Sequence, residues 1–294
     1  IAQCLVGSEM CIRDSYYPLH GWIYAFYDYR PPFKLTDCEF VGFEWFISMF
    51  SNASKRKQIW EVLCNTFVMS GLGILTSWLP MAFAILLSEI KNQPFKKAVQ
   101  TLTTLPNFIS WVLVYSLAFS LFSSSGMVNN LCIRLGLYDS PVLYLQMEDN
   151  VWLTMWLWGT WKGTGWSAIM YIAAITGIDR AQYEAAAVDG ATKWQQIRMI
   201  TLPLLKPVVT MMTLLAIGRI FYSDFGLFYQ VPQNSGALFS VTNTIDTYVY
   251  RGLLELGDFT LSAAAGLYQS VVGFILVLVT NLLVRKLDPA SSLF

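Results

Sequence analysis

Three stretches of this chain carry no charged residue over lengths that a soluble core element does not use: Val62 to Ser88 for 27 residues, Ala98 to Ile133 for 36 and Phe259 to Val284 for 26. At about 1.5 Å rise per residue, about 20 helical residues cross a hydrocarbon layer about 30 Å thick. Inside that layer no water is available to satisfy backbone N–H and C=O groups, so such runs fold as helices that bond internally. Of 294 residues, 55% are hydrophobic and only 13% charged, too apolar for an ordinary soluble domain. The fold class is therefore all-α, a polytopic membrane helical bundle. The 19 basic residues are balanced by 19 acidic ones and form no basic tail, so nothing points to nucleic acid.

Two further spans carry charges. One runs from about Val151 to Ile175 with Lys162 inside WLWGTWKGTGW, and the other from about Val208 to Gln230 with Arg219 and Asp224. Ser123-Ser124-Ser125-Gly126 divides the 98–133 stretch into a helix and an external re-entrant or amphipathic piece. Residues 28–61 read as water-exposed, with a short interfacial helix over Val41 to Phe50, and Val231 to Asp258 reads as a second external segment rich in turn formers. From Tyr16 the sequence YYPLHGWIYAFYDYRPPF looks like the outer end of a first span whose beginning is missing. Residues 1–15, IAQCLVGSEMCIRDS, resemble translated adapter sequence and are set aside from fold reasoning. The short loops at 89–97 and 176–207 and the tail from 285 share one side and hold Lys91, Lys96, Lys97, Arg180, Lys193, Arg198, Lys206, Arg285 and Lys286. The positive-inside rule makes that side cytoplasmic, although Lys55-Arg56-Lys57 lies opposite.

The longest polar stretch between apolar ones is 177–207, GIDRAQYEAAAVDGATKWQQIRMITLPLLKP. Asp179 followed by Gln182 has the form of a capping box opening a helix through Val188, and Gly190 supplies a residue past its end that tolerates positive φ. Thr192 and Gln195 repeat the pattern for a second helix through Ile200. Pro203 and Pro207 are expected to stop it from continuing as one rod into the next span. The small residues Ala185, Ala186 and Ala187 leave the backbone open to close approach by another surface.

Glu184-Ala185-Ala186, then Gly190, Ile200, Leu202 and Pro203, stand at the spacing of the EAA loop, and the chain resembles the binding-protein-dependent ABC importer permeases. YYPLHGWIYAFYDY, FKKAVQTLTTLPNFISW, WKGTGW, NTIDTYVYRGL and GLYQSVVGFILVLVTN look like the polysaccharide and complex-oligosaccharide branch, the LplB-like type. The resemblance implies a type I importer transmembrane domain over 16–294, with six spans in the family and the first truncated here. It also implies that Glu184, Ala185, Ala186, Asp189, Gly190, Ile200, Leu202 and Pro203 couple the chain to a separate ATPase dimer. ATP and magnesium would bind on that dimer, and no cofactor on this chain. The other implied partners are a second permease subunit, an extracytoplasmic solute-binding protein and the lipid bilayer.

A lone charge at the bilayer centre costs at least about 2.5–3.5 kcal/mol, so Lys162, Arg219 and Asp224 should face the bundle interior, water or each other. Two readings stay open: a polar lining of the transport path, or a structural ion pair such as Lys162 with Asp224. Arg219 and Asp224, five apart on one helix, point to different faces. Trp158, Trp161 and Trp166, with Tyr222 beyond them, are candidate path aromatics, since sugar rings stack on such faces; Trp152, Phe228 and Tyr229 read as an interfacial belt. The cations Lys162 and Arg219 would suit an oligosaccharide bearing uronic acids. A neutral one remains the preferred cargo, because the WKG stretch is common in the resembled family whatever is carried. No G-x-x-x-x-G-K-[ST] or Gly-x-Ser-x-Gly occurs, and His20 is the only histidine, so no enzyme constellation or metal site can be nominated. An ion-coupled secondary carrier, or an importer of a non-sugar solute, is the alternative.

Overall fold

The structure, a computed structural model, describes residues 17–287; the adapter-like stretch 1–15 lies outside them. Among the described residues every named element is helical, and the one β pairing is an isolated bridge between Tyr27 and Phe40. A 3-10 segment, Tyr17–Phe26, is followed by α1 Glu44–Ser51, α2 Ala53–Leu75, α3 Trp78–Glu89, α4 Gln93–Thr104, α5 Trp111–Phe122 and α6 Met127–Arg134. Then come α7 Val151–Thr176, α8 Arg180–Val188, α9 Lys193–Gln196, α10 Leu202–Gly218, α11 Phe225–Gln230, α12 Phe239–Thr242, α13 Ile245–Leu254 and α14 Phe259–Leu287.

Packing is inverted relative to a soluble domain. Asn65, Thr66, Thr244, Thr247, Gln269 and Asn281 are buried, while Leu75, Leu86, Leu113, Phe274, Ile275 and Leu282 are exposed. Apolar side chains outside and satisfied polar ones inside suit a lipid solvent. Four helical runs among the described residues are long and apolar enough to cross a membrane: Ala53–Glu89, Trp111–Arg134, Lys193–Gly218 and Phe259–Lys286. At 26 residues α7 has the length as well. Its glycines, threonines and Lys162 lower its hydropathy, and it packs against α2, α3, α4, α10, α11 and α12, at the centre of the bundle.

The expected spans need three corrections. The first complete one starts at Ala53, not Val62, with Asn52 Oδ1 accepting the Ser54 N–H at 3.0 Å, and it breaks at Thr76–Ser77, where Pro80 has no N–H to give the Thr76 carbonyl. The 98–133 stretch is interrupted ahead of its serines, at Leu105–Ser110, because Pro106 cannot continue α4. Ser110 Oγ then caps α5 through the Leu113 N–H, and the membrane run begins at Trp111. The 208–230 span ends early, at Gly218. Arg219 closes α10 and Asp224 caps α11 by accepting the Leu227 N–H at 3.3 Å, so the two charges do not share a helix.

The external segment is folded, not loose. Asn65 Nδ2 donates to the Ser240 and Asn243 carbonyls at 2.9 and 3.1 Å, and Thr66 Oγ1 accepts the Ile245 N–H at 3.2 Å. These bonds pin α12 and α13 onto α2. Trp152, expected in an interfacial belt, donates its indole N–H to the Val241 carbonyl at 3.0 Å and is tied to the same cap.

Candidate functional site

The polar loop folds as a helix, a glycine turn and a second helix. Asp179 Oδ1 caps α8 through the Ala181 N–H at 3.0 Å, while the capping box expected with Gln182 is replaced by a backbone bond from Gln182 N to the Asp179 carbonyl. Gly190 has φ of +79°, a conformation a Cβ would strain, and it turns the chain so that Thr192 and Gln195 form a full capping box on α9. Tyr183 and Thr201 share a hydroxyl hydrogen bond of 2.9 Å that clamps the two helices, and Lys193 pairs with Glu89 at 3.4 Å, holding the loop against the end of α3.

Pro203 and Pro207 do not stop the second helix. Ile197–Thr201 is a π-helical turn and α10 begins at Leu202, so Lys193–Gly218 is one helical run. The wide turn re-registers the backbone just where Pro203 would otherwise leave a carbonyl unpaired, and Pro207 is carried inside the helix. The surface of the loop is apolar at its tips: Val188, Trp194 and Met199 are 88%, 68% and 71% exposed.

A cavity of about 380 Å³ lies between α2–α3, α7, the end of α10 and the Tyr222–Asp224 break. Its α7 wall is Met155, Trp156, Gly159, Thr160, Gly163, Thr164, Ser167 and Tyr171, spaced along one helix face. Ser70, Thr76 and Ser77 face it from α2–α3, and Trp156 Nε1 donates to Thr76 Oγ1 at 3.0 Å.

Beside the cavity, two helix breaks meet at Trp111. Lys162 Nζ donates to the carbonyls of Pro106, Asn107 and Ile109 at 3.3, 2.8 and 2.7 Å and sits 5.2 Å from the Trp111 ring centroid. Trp111 Nε1 donates to Asp224 Oδ2 at 3.0 Å, and a Cβ on Gly226 would overlap the indole, so only glycine lets α11 come this close. The Tyr222–Asp224 break is itself held by Asp246. Its Oδ2 accepts the Ser223 N–H and hydroxyl at 2.6 and 2.8 Å, and its Oδ1 accepts from Gln269 Nε2 at 3.0 Å.

The family model described as "Binding-protein-dependent transport system inner membrane component" matches residues 81–289, a stretch that contains this loop and most of the cavity wall. The chain belongs to that family. It is 36% identical over 284 residues, 96% of its length and 86% of the relative's, to the polygalacturonan/rhamnogalacturonan transport system permease protein YteP of Bacillus subtilis (strain 168). It is 32% identical over 276 residues to Protein LplB of the same organism, covering 93% of this chain and 84% of the relative. A crystal structure of a bacterial ABC transporter involved in the import of the acidic polysaccharide alginate superposes with a TM-score of 0.84 at 31% identity, over 98% of this chain and 95% of the other.

Within this permease the nominated path residues separate. Tyr222 and Asp224 line the central cavity. Trp158 and Trp161 lie elsewhere on α7, edge to face at 5.7 Å, and line a second, mostly apolar cavity of about 550 Å³ with Leu117, Leu121 and Phe122. Trp166 packs edge-on against Phe108 at 5.7 Å and lines neither. Lys162 and Asp224 form no ion pair among the described residues, since the ammonium is turned to carbonyls; Arg219 is exposed at the end of α10, outside the cavity lining. Of the loop residues, Glu184, Ala185, Asp189, Gly190 and Pro203 are exposed, with Ala186, Ile200 and Leu202 half-buried. Sequence reasoning missed the α7 stripe of small and hydroxyl residues, whose helical spacing was visible, and Asp246, which had no local signal.

Proposed function

We propose that the chain is the permease subunit of an ATP-driven importer that carries a sugar or oligosaccharide across the cytoplasmic membrane. The observation that carries this reading is mechanical: the helix that leaves the exposed Gly190 turn runs unbroken from Lys193 to Gly218, and its far part, at Met212 and Ala216, forms a wall of the central cavity. A separate ATPase dimer, which would hold ATP and magnesium, docks on Glu184, Ala185, Ala186, Asp189 and Gly190 and the exposed apolar tips beside them. Closing that dimer displaces α8 and α9 and shifts the bundle between outward- and inward-facing arrangements. The sugar class rests on two of the similar proteins, a polygalacturonan/rhamnogalacturonan transport system permease and an ABC transporter involved in the import of alginate. The cavity wall with Tyr222 and Asp224 lines the path, completed by a second permease subunit, and a solute-binding protein delivers cargo at the side of Asn234 and Glu255. Residues 177–207 and the C-terminus face the cytoplasm.

Gly190→Ala and Glu184→Lys test the docking role. Gly190→Ala strains the turn by on the order of 1 kcal/mol and displaces α8. Transport and binding-protein-stimulated ATP hydrolysis should both fall while the subunit still reaches the membrane; hydrolysis fully coupled to transport in both variants would contradict the reading.

A further inference from the structure

Asp224 is the one charged side chain among the described residues that line the central cavity. Its partners are both neutral donors, Trp111 Nε1 on Oδ2 at 3.0 Å and the Leu227 N–H on Oδ1 at 3.3 Å. No ion pair among the described residues compensates it: Lys162 is engaged by three carbonyls, and Arg219 lies outside the lining. Each carboxylate oxygen accepts about two hydrogen bonds, so both keep capacity toward the cavity. In the same lining, Thr160, Thr164 and Ser167 offer hydroxyls but no cation.

Such a wall accepts hydroxyl protons and repels carboxylates. A sugar hydroxyl donating to Asp224 makes a charge-assisted hydrogen bond, whereas a uronate carboxylate at the same place has no proton to give and meets a like charge. We propose that Asp224 is a specificity-determining residue of the transport path, which accepts the hydroxyls of a passing sugar unit and disfavours a uronate carboxylate at that point. Trp111 is its positioning residue. This rests on the reading of the cavity as a sugar path, and its sign is opposite to the expectation raised by Lys162 and Arg219 from sequence.

The test uses the complete transporter, with its sister permease, ATPase and binding protein, in proteoliposomes. Uptake of a uronate-containing oligosaccharide is compared with uptake of the same oligosaccharide after its carboxyl groups have been reduced to primary alcohols. The binding protein's own preference enters every variant equally, so a change in the uptake ratio between variants belongs to the permease. Asp224→Asn should raise the uronate-to-reduced ratio about tenfold, the size of one charge-assisted hydrogen bond. Asp224→Glu should keep the wild-type ratio, and Trp111→Phe should shift it in the Asn direction by less. Asp224→Ser, which also caps a helix, is the second neutral variant if Asp224→Asn does not reach the membrane. An unchanged ratio in a neutral variant that reaches the membrane, or a Glu variant that shifts it as far as Asn does, overturns the inference. Uptake of neither sugar by the wild type, with ATP hydrolysis intact, instead overturns the sugar-path reading and this one with it.

Discussion

An ammonium inside a helical bundle needs acceptors more than it needs a counter-ion, and Lys162 finds three of them on the broken end of α4. The chain turns extended at Ile109, so the Asn107 and Ile109 carbonyls have no N–H one turn on to bond, and the lysine supplies a donor there. Lys162→Met keeps the stem and removes the donors, leaving the Asn107 and Ile109 carbonyls short of a partner at a cost on the order of 3 kcal/mol, while the Pro106 carbonyl keeps the Ile109 N–H at 3.1 Å. The detergent-solubilised variant should unfold at a clearly lower temperature than the wild type; an unchanged midpoint would show that the contacts carry no stability. From sequence the charge stood out and its partner did not, because the partner is backbone 53–56 positions away. Arg251 repeats the lesson outside the spans. It lies in the external segment, yet it is buried, donates to Asn234 and Asn243 at 2.6 Å each and lies 3.9 Å over Phe239, and that burial lowers its pKa against the pull of Glu255.

At the scale of elements, side-chain caps and the glycine turn were readable and proline breaks were not. Asp179, Thr192 and the positive φ of Gly190 stand where their residue types indicated, since capping is a local matter of side chain and adjacent N–H. Proline misled in both directions: Pro203 and Pro207 are accommodated by a π turn, while Pro106 makes a break that an uncharged run concealed. Loop placement is testable at this scale. Glu89 and Lys193 meet at one end of the bundle, Asn234 and Glu255 at another part of the chain, where Nδ2 and Oε1 are 2.9 Å apart. In a background with its own cysteines replaced, Lys193→Cys should be labelled by an impermeant thiol reagent only from the cytoplasmic side and Ala237→Cys only from outside; labelling of both from outside would reject the topology.

For the whole molecule, the uncharged runs were enough for an all-α membrane bundle, and the EAA-like spacing was enough for the family. The cavity was not readable, because it exists only where the hydroxyl stripe of α7 meets the α2–α3 bend and the Tyr222–Asp224 break. What the assembled chain adds is a continuous helix from an exposed turn to that cavity, which makes sense of a subunit driven from outside itself. An ion-coupled carrier would need no such turn. The most direct measurement is uptake of an oligosaccharide into proteoliposomes containing the permease pair, its ATPase and its binding protein, with ATP and magnesium supplied on the ATPase side and ion gradients collapsed. The account predicts uptake that requires ATP hydrolysis and survives the loss of the gradients; uptake that follows an imposed ion gradient and proceeds without the ATPase would contradict it.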